Sequence, residues 1–128
     1  MSEAAVQSIE FPALRNRNYP IHKAADRLEP YLRAIVEKIH PEKIILFGSF
    51  AYGEPTRHSD FDLMVIRKDF TNSRDSNVQI RMSTVEVDAA PESFTILSCT
   101  PEDYERRVSM GEFIYREISE KGVPVYEV

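Results

Sequence analysis

Between Ile44 and Ile66 the chain carries two short apolar runs separated by a polar segment with Gly and Pro, and this stretch restricts the fold more than any other. The first run, Lys43 to Phe47, is almost continuously apolar and stops at Gly48-Ser49. The second, Asp62 to Ile66, is entered through Asp60-Phe61-Asp62. Runs of this length without polar alternation suit strands covered on both faces. Ala51 and Tyr52 leave room for one helical turn before Gly53, and Pro55 ends it. A strand, a tight turn and a second strand opened by acids therefore form the centre, and the remaining segments support it.

Upstream, residues 1–20 show weak periodicity and are punctuated by Pro12 and Pro20, which predicts a solvated arm carrying Arg15 and Arg17. The domain is expected to begin at residue 21. Leu28, Leu32, Ile35, Val36 and Ile39 form one apolar stripe, so residues 21–39 read as a core helix. Pro30 requires either a helix start near Glu29 or a kink, and His40-Pro41 closes the element.

Downstream, residues 67–76 read as a loop. Residues 77–87 favour a helix, because Val78, Met82 and Val85 have helical spacing; Val85 to Asp88 also fits a strand. Phe94 to Cys99 reads as a third strand. Thr100-Pro101-Glu102-Asp103 marks a helix start, with a capping hydroxyl, a proline in the first turn and acids at the positive end of the dipole. After Gly111, residues Phe113, Ile114 and Ile118 define a last helix with Gly122 as its stop, and residues 123–128 a short terminal strand. The order implies a small α/β sandwich, a mixed β-sheet with helices packed on it.

The acids and the turn carry the chemistry. Residues i and i+2 of a strand project to one side, so Asp60 and Asp62 point together, and two close like charges favour a divalent cation with oxygen preference such as Mg²⁺. Glycine lets backbone approach a ligand, and Ser49 adds a hydroxyl beside N–H groups left free at a helix start. Either feature alone is commonplace. Together, each preceded by a strand, they equip a site for phosphoryl chemistry. The pattern is not a P-loop, since no Gly-Lys-Ser/Thr follows.

Composition sets limits around that site. The 128 residues, 42% hydrophobic, suffice for one domain with a core. A net charge of −5 argues against a nucleic-acid backbone as direct partner. The single cysteine, Cys99, forms no internal disulfide and fits a reducing, cytoplasmic setting. No apolar run reaches the length of a membrane span, and the N-terminus lacks the order of a secretion signal.

The pattern Gly48-Ser49, ten residues, then Asp60-x-Asp62-Leu63 resembles the signature of the DNA polymerase beta superfamily of nucleotidyltransferases. Ser49-x-Ala51-x-Gly53 followed by Ser59-Asp60-x-Asp62-Leu63 is more narrowly similar to minimal nucleotidyltransferase (MNT) proteins. Thr100 to Glu105, Gly111, Tyr115-Arg116-Glu117-Ile118, Gly122 and Tyr126-Glu127 extend the likeness over about residues 22–127.

The resemblance implies a nucleotidyltransferase fold, with Gly48, Ser49 and Ser59 at the nucleotide's phosphates and Asp60 and Asp62 binding two Mg²⁺ ions. ATP would be the substrate. AMP would pass to a hydroxyl, a tyrosine's, of a HEPN-domain ribonuclease toxin, making the protein an antitoxin. Two departures stand out. Tyr52 occupies a position often held by arginine. The superfamily's third acid, on a later strand, falls near Thr95 when counted back from Thr100, so Asp88 becomes the candidate catalytic and metal-binding acid. Without a third acid, the alternative is a weak or inactive protein that neutralises the toxin by binding alone. A small-molecule-modifying transferase is a further alternative, and it would need an extra domain for the acceptor.

Overall fold

The computed structural model describes residues 9–128. Its centre is a four-stranded mixed sheet of order β3-β2-β1-β4, built from β1 (Lys43–Phe47), β2 (Phe61–Ile66), β3 (Phe94–Cys99) and β4 (Val123–Glu127). β1 runs antiparallel to both neighbours, whereas β2 and β3 are parallel and joined through α3 (Ser73–Ser83). The other helices are α1 (Ala25–Ile39), α2 (Ser49–Tyr52), α4 (Pro101–Ser109) and α5 (Phe113–Lys121).

The two central strands, β1 and β2, are buried on both faces, which explains their unbroken apolar runs, whereas the outer strands β3 and β4 carry exposed residues such as Thr95 and Pro124. Ile44 and Leu46 of β1 and Phe61, Leu63 and Val65 of β2 pack with Leu28, Leu32 and Ile35 of α1 and Ile80 of α3. The alternate residues Ile45, Phe47, Met64 and Ile66 pack on the other face with Tyr115 and Ile118 of α5. α1 starts at Ala25 and contains Pro30, so the helix does not begin near Glu29 as one of the two expectations had it. It ends at His40, whose left-handed backbone (φ 54°) directs its N–H to the Val36 carbonyl.

Three expectations are corrected. The solvated arm does not extend over residues 9–20: two 3-10 turns, Pro12–Arg15 and Pro20–Ala24, place Leu14 and Ile21 in the main core, and Phe11 is buried against Tyr126. The part of the expected arm before residue 9 lies outside the described residues. The supposed loop 67–76 ends early, because Asn72 caps α3 by accepting the Asp75 N–H at 2.9 Å. The Val78-Met82-Val85 stripe that signalled this helix faces outward, at 57%, 63% and 67% exposure. Its buried face is Ser76, Ile80 and Ser83, whose hydroxyls are satisfied by Ser98 and by the Ile80 carbonyl. Gly122 does end α5, but in an extended conformation (φ −63°). It is small for reasons of space: a Cβ there would lie 2.5 Å from the Ile118 carbonyl oxygen and 2.6 Å from Ile45 Cγ2.

Candidate active site

β1 ends at Phe47, which pairs with Asp62 of β2. The next residue, Gly48, has φ 72° and ψ −156°, a region that side chains rarely tolerate. Space forbids a side chain as well, since a Cβ would sit 2.0 Å from Asp62 Oδ2. Gly48 of the turn and Asp62 of the acid pair, fourteen residues apart in sequence, are thus in direct contact. The Gly48 carbonyl accepts the N–H groups of Ala51 at 3.0 Å and Tyr52 at 3.1 Å, closing the single turn of α2.

The reverse side of the same contact is aromatic. Phe61, between the two acids, is fully buried, with its ring 4.6 Å from Phe50 and 5.6 Å from Phe94. The Arg27 guanidinium lies 5.2 Å from the Phe61 ring centroid and 5.9 Å from that of Phe50, and is held by both oxygens of Glu92, at 3.0 and 2.6 Å. Anchoring Phe50 and Phe61 behind the sheet fixes Ser49 and the two acids in front of it.

Asp62 is half-buried and lies in register with Thr95 of β3. Burial pushes its carboxyl above the ordinary range; a hydrogen bond from the Thr95 hydroxyl opposes this, and the charge of Asp60 adds to it. Asp60 itself is exposed, just ahead of β2. Ser59 accepts the Thr56 N–H at 2.8 Å, so its hydroxyl oxygen closes the 56–59 turn that leads into the acids.

Asp88 does not join this pair. It is exposed in the segment after α3, where Val85 and Val87 form turns rather than a strand. The strand beside β2 begins only at Phe94, which puts Thr95 next to Asp62. Among the described residues no three His, Cys, Asp or Glu side chains are grouped to hold a metal ion. The chain offers two carboxylates, a donor set that suits Mg²⁺ when the remaining ligands are substrate phosphates and water.

Tyr52, noted above for standing where arginine is often found, reaches the site together with two residues of α5, Glu117 and Lys121. Tyr52 packs against the core clusters on both faces of the sheet. Its phenol is pushed above its usual range, chiefly by burial; a hydrogen bond involving the Gly48 backbone lowers it, while Glu117 and Asp62 raise it. Lys121 Nζ lies 5.7 Å from the Tyr52 ring centroid and 3.9 Å from Glu117. Spacing i, i+3 from Ser49 was a signal for Tyr52; nothing local marks Glu117 or Lys121. A cavity of about 500 Å³ under residues 84–93 lies on the opposite face of the sheet, against Tyr31, Ile80 and Phe94, and is separate from the acids.

Residues 28–125 match the family model described as the nucleotidyltransferase domain, and the chain belongs to that family, within the polymerase beta-like superfamily. No curated protein matches the chain. Nucleotidyl transfer is therefore its general activity, and the four-stranded mixed sheet with five helices is the fold of that family. Among the described residues no helix is long and apolar enough to cross a membrane.

Proposed function

We propose that this protein transfers AMP from ATP to a tyrosine hydroxyl of a HEPN-domain ribonuclease partner in the cytoplasm, and so acts as an antitoxin. The observation that carries the nucleotide chemistry is the contact of Gly48 with Asp62, which brings a phosphate-type turn onto a like-charged acid pair. Mg²⁺ held by Asp60 and Asp62 would neutralise phosphate charge and polarise the α-phosphoryl group. Gly48 and Ser49 offer the phosphates a close backbone approach and a hydroxyl. The acceptor oxygen forms a bond to the α-phosphorus, the bond to the β-phosphate oxygen breaks, pyrophosphate leaves, and the hydroxyl proton passes to solvent or a nearby base. Asp62 is held partly out of water and above its usual pKa range, and a bound cation would relieve that desolvated charge.

The test is label transfer. Incubation with α-labelled ATP, Mg²⁺ and a HEPN partner should label the partner, and Asp60→Asn should abolish labelling without unfolding the protein. Absence of label with a folded protein and an active toxin would refute the proposal.

A specific observation favours a second reading: Thr95, without a carboxylate, stands beside Asp62 where the superfamily's third acid is expected. In that reading the protein masks its partner by binding alone. Full toxin neutralisation by Asp60→Asn would support it, and loss of neutralisation would exclude it.

A further inference from the structure

Ser49 and Tyr52 are three residues apart on one helical turn and therefore share its face. Their neighbours Phe50 and Ala51 are buried in the main core behind it. Against Tyr52, α5 contributes Lys121, with its ammonium 5.7 Å from the ring centroid, and, one turn earlier, Glu117, which helps to raise the Tyr52 phenol. The ammonium of Lys121 is drawn toward the turn from two sides, by the ring and by Glu117. At 3.9 Å the Glu117 contact leaves that ammonium incompletely paired, and its side chain is 57% exposed. The site also needs positive charge. Two divalent cations set against two carboxylates and a triphosphate leave negative charge in excess.

We infer that Lys121 is a nucleotide-binding residue: its ammonium, seated on Tyr52 beside Ser49, contacts the triphosphate at the Gly48-Ser49 turn. A cation from the last helix thereby does work that no residue inside the turn can do, since the segment from Gly48 to Gly53 contains none. The inference rests on the nucleotide-binding reading of the turn and adds the residue that holds the phosphates.

Equilibrium binding of Mg·ATP to the full chain, together with steady-state transfer kinetics, tests it. Lys121→Met should weaken Mg·ATP binding by roughly fivefold, the size of a part-exposed charge-assisted hydrogen bond. KM for ATP should rise by a similar factor while kcat changes less than about twofold. Lys121→Arg should restore most of the affinity, which a structural role for the aliphatic stem would not require. Wild-type binding that Lys121→Met leaves unchanged would overturn the inference alone. Failure of the folded wild type to bind Mg·ATP at all would overturn the nucleotide-binding reading and this inference with it.

Discussion

Replacing Gly48 by alanine tests the join between turn and acid pair directly. Two costs combine. The backbone at φ 72°, ψ −156° lies in a region open essentially to glycine, which for any other residue costs about 1–3 kcal/mol. The new Cβ would also lie 2.0 Å from Asp62 Oδ2 and 2.9 Å from Cγ, so the carboxylate must swing away from its position. Forcing that side chain off its rotamer adds about 0.5–1.5 kcal/mol. The expected loss in urea unfolding is therefore about 2–4 kcal/mol. The catalytic penalty should be larger, because a displacement of about 1 Å in a metal-binding carboxylate is worth on the order of a hundredfold in rate. A double-mutant cycle separates the two costs. In an Asp62→Ala background the nearest remaining side-chain atom, Asp62 Cβ, is 3.4 Å from the new methyl, an ordinary contact. Gly48→Ala should then cost only the backbone share, leaving a coupling of about 1 kcal/mol between the sites. If Gly48→Ala were within about 0.5 kcal/mol of wild type, or costs were additive in the cycle, the steric account of the site would be wrong.

Other outcomes follow from neighbouring features. Asp62 is held above its unfolded pKa, so its ionisation opposes folding: stability falls as pH rises through its folded pKa. Asp62→Asn should accordingly stabilise the metal-free protein at pH 7, with the gain shrinking in acid below the unfolded carboxyl pKa; urea unfolding at both pH values measures it. Thr95→Asp places a carboxylate in register with Asp62, and should tighten Mg²⁺ binding in calorimetric titration while lowering metal-free stability. Burial pushes the Cys99 thiol up to about 12, and its sulfur packs 3.7 Å from that of Met64. Iodoacetamide at pH 8 should therefore modify native protein far more slowly than urea-unfolded protein. Thr100→Ala removes the acceptor of the Asp103 N–H at the start of α4 and should cost about 1 kcal/mol in the same unfolding assay.

What the sequence made legible was what local chemistry decides. β1 and β3 fall on the expected residues because short apolar runs bounded by glycine or proline have few alternatives. α4 begins at Pro101 because the threonine cap and proline are local signals. The acid-opened run was legible as β2, which begins at Phe61 and carries Asp62, with Asp60 just ahead of it. What stayed hidden depends on packing between distant segments. Phe11 and Leu14 look like parts of a polar arm until Tyr126 and α1 are brought beside them. Val78, Met82 and Val85 mark a helix but not the face it buries, which hydroxyls of Ser76 and Ser83 occupy once they find partners. Asn72 and Asp75 already stood three apart as a capping pair, but a run of loop-forming residues obscured them. Thr95 could be counted to its place from Thr100, whereas Asp88 required a strand that turns at 84–89 replace.

The burial of Phe61 between Asp60 and Asp62 also bears on how the chain folds. If β2 docked one residue out of step, the acids would turn toward the core beneath α1 and the phenylalanine would turn toward the half-buried rim where Asp62 now stands. Each unpaired carboxylate driven inside would cost several kcal/mol, on top of roughly 1 kcal/mol for the ring's partial exposure. A chain caught in that state would sit far above the native one and release its strand before completing the sheet. The two acids thus act as a proofreading device during assembly: the residues intended for metal and nucleotide are also those that make the wrong alignment of their own strand unaffordable. Substituting them by apolar residues to gain stability would remove the chemistry and the check on register in one step.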